Sequence, residues 1–492
     1  MKYNLIKSFV FVFIILTSHF SNGQVIKFRK VIGSSEYDYG MSAKQTADKG
    51  YIVGGSTSSF GNGNSDMYAV KTDSMGIPKL HNTFGGINID RGSCIRQTSD
   101  NGYIIAGYTN SFGAGGYDVY LVKTDSILQT QWTKTYGGSD WDFGNCVEQT
   151  TDGGYIICGG TYSFGEGDED YYLIKTNSIG DTLWTKTFGG IKEDIAKSVI
   201  QTTDGGYILT GTTKSLGDSL GDFFTIKTNS LGDTTWTNKY GGSLLDYGND
   251  VLESRYGGYI VGGETQSFGL TDSDGVIVKL SPSGIVGSSL FTGVTGYDNI
   301  ESITEDTLGR VAMTGRNVGS GDANGNGDVN IFIIKQNWSY YSGTTFGSNG
   351  YDIGYSIEPT VGNGFVICGH TNSFNNLLED IYLIKTDSTG FCSSLENTFI
   401  TAIESSSPHQ NSEFNISPNP AATTVTLSSG KLFDSTVIQI FDLIGNKIIS
   451  VKVNQNNIET FSINISDLAE GIYILNLTTS TSSYSQKLVI QH

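Results

Sequence analysis

The chain contains 492 residues, of which 49 are acidic and 30 are basic, so its formal net charge is -19. This acidity argues against a nucleic-acid partner, because phosphate binding needs a basic face, and it agrees with ordinary solubility. With 65 glycines, 27 tyrosines, 25 phenylalanines and only 6 prolines, the composition excludes a disordered chain and favours short strands joined by tight turns.

Residues 1–23 have the pattern of a secretory signal peptide. Lys2 and Lys7 precede an apolar run at residues 9–16, and small residues lead to an expected cleavage before Gln24. The apolar run is too short for a membrane-spanning helix, which needs ~20 residues, and no later segment approaches that length. We therefore expect an exported mature chain without a transmembrane span.

One motif recurs through most of the remaining chain. Its tyrosine returns every 52 residues, and the series then continues with a valine and, 54 residues later, a phenylalanine. These positions are Tyr51, Tyr103, Tyr155, Tyr207, Tyr259, Val311 and Phe365. A fixed period of this length is typical of solenoids and propellers. The sequence therefore predicts seven copies of one structural unit.

Each copy contains four strand-like runs. In the fourth copy they lie at residues 198–202, 207–212, 222–228 and 234–240. An Asp-Gly pair separates the first two runs and favours a tight hairpin turn, and no segment has a helical period. Four strands in ~50 residues, repeated in each copy, predict an all-β fold. We expect a seven-bladed β-propeller at residues 24–396.

The repeat pattern leaves one strand missing from the last blade. No fourth strand follows residues 381–385, whereas an extra strand at residues 25–32 precedes the first copy. We predict that this N-terminal strand completes the last blade, which closes the ring and removes the open sheet edges. An open solenoid is the alternative, but it needs capping repeats that the sequence does not show.

A different segment follows the repeats. Residues 397–413 contain a serine-rich stretch and have the composition of a linker. Residues 414–492 then show alternating strands, a pattern typical of a small antiparallel β-sandwich. We therefore expect a second, smaller domain after the propeller.

The second domain carries an ordered set of short motifs. They are Pro418-Asn419-Pro420, the run at 442–447 with Gly445, the run at 468–473 with Gly471 and Tyr473, and the terminal run at 487–490 with Lys487 and Val489. This set closely resembles the type A C-terminal sorting domain of the type IX secretion system of Gram-negative bacteria. The repeats resemble those of secreted bacterial seven-bladed propeller proteins without an assigned function, which implies an architecture and no activity.

The resemblance of the tail implies a route and a location. The signal peptide would direct the chain across the inner membrane, and the type IX machinery, as a partner, would move it across the outer membrane. In that family the sorting domain is generally removed, and the cargo is released or attached to surface lipopolysaccharide. The resemblance thus implies a secreted protein, either extracellular or attached to the outer surface.

Aromatic residues vary between copies just before the first strand, where one blade connects to the next. This connection and the one from the second to the third strand emerge on the same face of a propeller, so they form a recognition surface for a glycan or a protein. The alternative is that the aromatics only pack the blade tips. The candidate ligand-binding residues are Tyr37, Tyr39, Trp141, Phe143, Tyr247, Tyr297 and Tyr351.

No motif marks a catalytic centre. His81 and His370 are the histidines of the repeats, and neither has the neighbours of a nucleophilic triad. We therefore predict no catalytic residue and expect a non-catalytic binding or adhesion module. The alternative is an extracellular lyase or hydrolase that uses carboxylates and tyrosines of the same face.

Two acidic positions recur in the copies, and both are expected to cap turns or strands by accepting backbone N–H bonds. The first set is Asp38, Asp90, Asp142, Asp194, Asp246, Asp298 and Asp352. The second set is Asp66, Asp118, Asp170, Asp222, Asp274, Asn330 and Asp380.

The sixth copy contains a candidate calcium loop, because the spacing of the second acidic set widens there. Its oxygen-bearing residues alternate as in short calcium loops. Ile333 stands where an EF-hand has glutamate, so the loop is not an EF-hand. A calcium ion there would be structural, and no other cofactor is expected. The candidate ligands are Asp322, Asn324, Asn326, Asp328 and Asn330.

The five cysteines do not form an obvious disulfide framework. Cys94 and Cys146 share one repeat position, Cys158 and Cys368 share another, and small residues take both positions in other copies. We interpret them as small buried side chains. A bridge between Cys146 and Cys158 across one hairpin is the alternative.

Overall fold

The computed structural model describes residues 26–491 except 218–219, 270–271, 294–295, 319–326, 375–377, 393–396, 401–413, 430–435, 442–446, 454–459 and 479–482. The described residues form strands, turns and bends. None of them lies in a helix that is long and apolar enough to cross a membrane. The chain divides into two compact units, Met1–Ile403 and Glu404–His492.

Within the described residues, the first unit contains seven sheets. The chain enters with β1 (Phe28–Ile32), which pairs in the seventh sheet. The first sheet contains β2 (Asp38–Gln45), β3 (Tyr51–Thr57), β4 (Asp66–Thr72) and β5 (Pro78–Phe84). The second contains β6 (Asp90–Gln97), β7 (Tyr103–Thr109), β8 (Asp118–Thr124) and β9 (Thr130–Tyr136). The third contains β10 (Asp142–Gln149), β11 (Tyr155–Thr161), β12 (Asp170–Thr176) and β13 (Thr182–Phe188).

The later sheets repeat this order. The fourth contains β14 (Asp194–Gln201), β15 (Tyr207–Thr213), β16 (Asp222–Thr228) and β17 (Thr234–Tyr240). The fifth contains β18 (Asp246–Glu253), β19 (Tyr259–Thr265), β20 (Asp274–Leu280) and β21 (Val286–Thr292). The sixth contains β22 (Ser302–Glu305), β23 (Val311–Asn317), β24 (Asp328–Ile334) and β25 (Tyr340–Phe346). The seventh has the order β26 (Asp352–Pro359), β27 (Phe365–Thr371), β28 (Asp380–Lys385), β1 and β29 (Asn397–Ile400).

The sheets are the blades of a closed ring. The first strand of each sheet contacts the first strands of its neighbours, and β2 of the first blade contacts β26 of the last. The prediction of a seven-bladed β-propeller is therefore confirmed. The first strands begin earlier than expected: β14 starts at Asp194, where the sequence pattern suggested residue 198.

The N-terminal strand closes the ring as predicted. β1 pairs antiparallel with β28, and Phe28 lies opposite Lys385. Trp132 of β9 lies opposite Lys123 in the same way, so Phe28 takes the place of a fourth-strand tryptophan. β29 then pairs parallel to β1, so a strand forms within the segment 397–413 that was expected to be a linker.

Among the described residues, an aromatic contact at the repeat's tyrosine joins four pairs of consecutive blades. The Trp132 ring meets the ring of Tyr155 in the next blade at 5.9 Å between centroids, edge to face. At the closure, Phe28 meets Tyr51 of the first blade at 5.5 Å. Such pairs add about 0.5–1.5 kcal/mol to the burial of their area. The repeat's tyrosine is therefore an inter-blade residue.

Hydrogen bonds at the short turns connect the blades a second time. The Gln97 side chain at the end of β6 accepts a bond of 3.0 Å from the Ala47 N–H of the preceding blade. The same bond between the last and first blades joins Val361 N–H to Gln45 at 2.7 Å. The corresponding acceptors elsewhere are Gln149, Gln201, Glu253 and Glu305.

Both acidic sets cap the blades, as predicted. Asp142 is fully buried and accepts bonds from the Gly138 N–H at 2.8 Å and the Ser163 hydroxyl at 2.7 Å. Asp118 of the second set accepts the Ala114 N–H at 3.0 Å. These bonds satisfy backbone donors at the strand ends.

The assignment of Asn330 to the second acidic set was wrong. Asp328 opens β24 and pairs with Asn317, just as Asp118 opens β8 and pairs with Thr109. The insertion in this copy is therefore two residues shorter than expected, and Asn330 lies inside the strand.

The calcium loop stays a prediction. Asp322, Asn324 and Asn326 lie outside the described residues. Asp328 and Asn330 belong to β24, and in the described part of the chain no group of three or more His, Cys, Asp or Glu side chains is placed to hold a metal.

All five cysteines are buried free thiols, although Cys146 and Cys158 lie directly opposite each other in β10 and β11. Cys94 and Cys146 donate to the carbonyls of Val147 and Val199 in the next blades, at 3.6 and 3.7 Å. A hydrogen bond with Cys158, together with burial, raises the pKa of the Cys146 thiol to about 12. Protonated and buried thiols of this kind are unreactive.

The second unit contains two sheets over one apolar core, as expected for a small sandwich. One sheet has the order β30 (Phe414–Ser417), β31 (Thr424–Ser429) and β34 (Thr460–Asn464). The other has the order β33 (Lys447–Val453), β32 (Thr436–Phe441), β35 (Gly471–Thr478) and β36 (Ser483–Ile490). Val425 and Leu427 of the first sheet share a core with Ile440 and Leu475 of the second.

The sorting motifs meet at one end of this unit. Asn419, between Pro418 and Pro420, accepts a bond of 2.8 Å from the Val489 N–H. The Tyr473 hydroxyl donates to the Ala469 carbonyl at 3.0 Å. Gly471 opens β35, Lys487 lies in β36, and Gly445 lies outside the described residues.

Deletion of residues 25–32 tests ring closure. The deletion exposes the edge of β28 and the Tyr51 ring, so we expect self-association or loss of a cooperative melting transition, measured by light scattering and thermal circular dichroism. A monomer with unchanged melting would contradict closure by β1.

A milder test of the same contact is Phe28→Ala. It should lower the free energy of unfolding by about 3–5 kcal/mol, as for other buried phenylalanines. Ile26→Ala is the control, because Ile26 is 39% exposed and its truncation should have little effect.

Candidate functional site

The candidate site lies on what we call the loop face, the end of the ring where the first strands begin. Two connections meet there in each blade. The Asn64 N–H of a second-to-third-strand connection donates to the Asn88 carbonyl, in the connection to the next blade, at 3.1 Å. Asn88 N–H in turn bonds the Ser111 hydroxyl of that next blade at 3.1 Å. The loop face is thus continuous around the ring, as the sequence pattern indicated.

Three of the seven predicted residues lie in strands and not in the connections. Tyr39, Phe143 and Tyr247 are the second residues of β2, β10 and β18, because the strands extend to the capping aspartates. Each faces a partner on the second strand, and Tyr247 lies opposite Glu264.

The partner position on the second strand is variable and was missed by the sequence reasoning. Its residues are Ser56, Tyr108, Gly160, Thr212, Glu264, Arg316 and His370. The signal was available, because this position changes from copy to copy while its neighbours in the strand repeat. Variation at a site that the scaffold does not constrain is typical of recognition surfaces.

A β-bulge directs a second variable residue toward the ring axis. In six first strands the register shifts by one residue between the third and fourth residue pairs with the second strand. A bulge leaves one residue unpaired and re-aims its side chain. In the sixth blade Glu301 takes this position and its N–H bonds the Thr314 carbonyl at 2.8 Å. The other residues of the series are Met41, Ser93, Asn145, Lys197, Asn249 and Tyr355.

The bulge residues line two cavities along the axis. The one at the loop face, which we call the axial cavity, has a volume of about 440 Å³. A second cavity of about 690 Å³ shares the bulge residues and reaches Thr203 and Arg255 at the short turns. Beyond the bulge series, the axial cavity is lined by Glu193, Ile195, Thr212, Tyr247, Glu264, Tyr297 and Asn299.

Glu264 is the centre of a hydrogen-bond network in the wall of this cavity. It is 4% exposed and accepts bonds from the Tyr297 and Ser273 hydroxyls, both at 2.6 Å. Burial raises the pKa of the Glu264 carboxyl. The Arg316 guanidinium lies 4.4 Å from the Tyr297 ring centre and 5.1 Å from that of Tyr351, which are cation–π distances.

Glu301 is the acidic member of the bulge series. Its carboxylate accepts a bond of 2.7 Å from the Asn299 amide. Burial raises the pKa of Glu301 to about 7; Lys197 acts against this shift and Glu264 adds to it. At neutral pH the carboxyl is therefore poised between its two protonation states.

A first aromatic cluster surrounds His370. The Tyr39, Tyr351 and Tyr355 rings lie 5.2, 5.7 and 5.2 Å from the imidazole, and Tyr37 stacks on Tyr39 at 6.1 Å. His370 is 5% exposed, and burial lowers its pKa to about 4. The ring is therefore neutral at pH 7 and acts here as a packing residue.

A second aromatic cluster lies in the second and third blades. Phe143 contacts Tyr108 and Tyr117, with ring centres at 5.1 and 5.7 Å. Trp141 packs against Tyr117 and Tyr162 at 5.9 and 6.1 Å, yet it remains 52% exposed.

The structure thus brings most of the predicted aromatics into ring or cation–π contacts without burying all of them. Tyr37, Tyr39 and Tyr351 join the His370 cluster, and Tyr297 reaches Tyr351 through Arg316. The exposed fractions of Tyr37 and Tyr297 are 41% and 36%. Their role in ligand binding stays a prediction.

Replacement of Lys197 tests the electrostatics of the axial cavity. Lys197 is the largest influence that lowers the Glu301 pKa, so Lys197→Met should raise that pKa above about 7. Carboxyl carbon NMR titration, with Glu301→Gln for assignment, measures it. Lys192→Met is the control, since Lys192 is an exposed neighbour. An unchanged Glu301 pKa in Lys197→Met would contradict the coupling.

Comparison with known proteins identifies the tail. Residues 415–491 match the family model of the secretion system C-terminal sorting domain. No curated protein matches the chain.

Solved structures with low identity resemble the chain. Sqt1 from Chaetomium thermophilum is 13% identical, with a TM-score of 0.41 over 70% of this chain and 82% of that one. BBS1N in complex with ARL6DN is 11% identical, with a TM-score of 0.44 over 73% and 97%. YCF48 bound to D1 peptide is 11% identical, with a TM-score of 0.42 over 76% and 97%. From the seven blades and the tail match together, the chain is a β-propeller repeat protein with a type IX secretion system sorting domain at its C-terminus.

Proposed function

We propose that the propeller is a non-catalytic module that binds an extracellular glycan on its loop face, a protein ligand being the alternative. The observation that carries the proposal is the set of partly exposed aromatic rings beside carboxylates and amides around the axial cavity. Tyr247, Tyr297 and Tyr355 contribute rings to the cavity lining, and Asn145, Asn249 and Asn299 contribute amides.

This combination suits sugars for a physical reason. A pyranose ring has apolar C–H faces that pack on aromatic rings and a rim of hydroxyls that need hydrogen-bond partners. Aromatic side chains provide a packing surface for the C–H faces with little loss of side-chain freedom. Carboxylates and amides provide hydrogen-bond partners for the hydroxyls. Trp141, 52% exposed at the second aromatic cluster, extends the surface beyond the axis.

An extracellular lyase or hydrolase is the second candidate. Burial raises the pKa values of both Glu169 and Glu301 to about 7, the range that suits a general acid at neutral pH. A binding module needs no such group, so product formation separates the two candidates.

The sorting domain supports export by the type IX machinery. We propose that the signal peptide at residues 1–23 starts this route and that the mature propeller acts outside the cell, free or attached to the outer surface. The loop face then meets its ligand at the exterior.

A glycan array followed by product analysis tests the proposed function. Trp141→Ala and Tyr297→Ala should each lower the affinity for the bound glycan by about tenfold, the scale of an aromatic anchor. Tyr340→Ala is the control, because Tyr340 lies on the fourth strand β25 and is 58% exposed. New reducing ends or unsaturated products would favour the enzyme. Binding to proteins but to no glycan would contradict the proposal of a glycan ligand.

Truncation of residues 414–492 tests the export route. The shortened chain should fold as a propeller but accumulate in the periplasm, measured by fractionation and immunoblotting of cells that possess the type IX machinery. Normal appearance of the truncated chain in the medium would contradict a sorting role of the tail.

A further inference from the structure

The axial cavity has an unusual balance of charges for its size. Its lining contains three glutamates, three tyrosines and one cationic side chain, Lys197. Two of the glutamates already have partners: Glu193 pairs with Lys214 at 2.7 Å, and Glu264 accepts two hydroxyl bonds. Glu301 accepts a hydrogen bond from the Asn299 amide and is the carboxylate best placed to pair with a positively charged group of a ligand.

One residue of the same cavity lining carries a buried hydroxyl without a hydrogen-bond partner. Thr212 is 5% exposed, and its hydroxyl oxygen has no hydrogen-bond partner among the described residues. Thr212 nevertheless belongs to the cavity lining. A buried polar atom without a partner is costly, and a bond from a ligand that reaches this oxygen would remove that cost. A hydroxyl oxygen can accept that bond from an N–H donor.

The tyrosine rings favour the same kind of ligand. The Arg316 guanidinium already occupies a cation–π position over Tyr297. Tyr247 and Tyr355 add further rings to the lining. Aromatic rings combined with a carboxylate form the usual environment of bound ammonium groups.

We infer that the axial cavity binds an ammonium group of the ligand, held by the Glu301 carboxylate, the Thr212 hydroxyl and the Tyr247 and Tyr355 rings. This inference rests on the proposed function, since it names the chemistry recognised at the same site. The ammonium group has two potential sources, the free amine of an amino sugar and the lysine side chain of a protein.

Lys197 has a definite role in this arrangement. Lys197 lies in the same lining as Glu301 and stabilises the negative charge of Glu301. It is therefore a cation of the protein itself that competes with a cationic ligand. Removal of Lys197 should therefore strengthen the binding of a cationic ligand, whereas removal of the Glu301 charge should weaken it. A merely structural role of both residues predicts no such opposite effects.

Calorimetry with matched probes tests the inference. The probes are a glucosamine tetramer, its fully N-acetylated counterpart, and a lysine-containing peptide with its glutamine counterpart. We expect the wild-type protein to prefer one cationic probe over its neutral match by at least about tenfold, equivalent to ~1.4 kcal/mol. Preference within the sugar pair identifies an amino sugar, and preference within the peptide pair identifies a protein lysine.

The variants then locate the ammonium group. Glu301→Gln and Thr212→Val should reduce the preference, and Lys197→Met should increase it. Glu36→Gln is the control, because Glu36 is exposed on the loop face and absent from the cavity lining. Thermal melting of each variant checks that the fold is retained.

Two outcomes would overturn the inference. One is equal affinity for charged and neutral probes, and the other is an unchanged preference in folded Glu301→Gln. If glycans still bind in either case and Trp141→Ala still weakens them, the proposed function survives without the ammonium site. If the wild-type protein binds no glycan at all, that result would contradict the proposed function itself.

Discussion

The contact between the repeat's tyrosine position and the fourth strand of the preceding blade is the interaction on which the ring depends. Trp132 meets Tyr155 and Trp184 meets Tyr207, both at 5.9 Å, and Leu80 packs against the core that contains Tyr103. A blade therefore does not complete its own core alone. At the seam the contact must be made by residues far apart in sequence. Phe28 provides this contact, so β1 both completes the last sheet and closes the ring.

The same architecture separates positions that must repeat from positions that are free to vary. The capping aspartates, the turn glutamines and the inter-blade aromatics hold backbone groups or pack between blades, so their chemistry is set by the scaffold. Residues at the bulge and at its neighbour on the second strand face the axis, where no blade requires a particular side chain. Lys197, Glu301 and Tyr355 occupy one such position in three blades. Diversity there costs the fold little and gives the cavity its chemistry.

The period of the sequence sufficed for the fold because the repeat encodes local strands and turns. The Asp-Gly turn, for example, needs the positive φ of +82° that Gly205 adopts. The site was harder to predict. The search for variable aromatics before the first strand found Tyr297 and Tyr351 but overlooked Glu264, Arg316 and Glu301. Their importance arises from neighbouring blades and from a one-residue bulge, which a pattern along a single strand does not reveal. The error at Asn330 has the same origin, since strand register decided for Asp328.

The short turns and the loop face contain carboxyls with opposite pKa shifts. At the short turns, burial raises the pKa of Asp100, but hydrogen bonds from Thr98 and Lys123 outweigh it and lower the value to about 2. A depressed carboxyl pKa contributes stability above its unfolded value of 3.8, and this contribution is lost as the pH falls toward 2. Because the Asp100 side chain is 54% exposed, solvent screening keeps the contribution small. Glu169 and Glu301, with pKa values of about 7, do the reverse: between pH 4.5 and 7 the folded state binds more protons than the unfolded state, so stability falls as the pH rises. The electrostatic cost of ionised Glu169 and Glu301 at neutral pH lies on the loop face, and a ligand that pairs with those carboxylates would offset it.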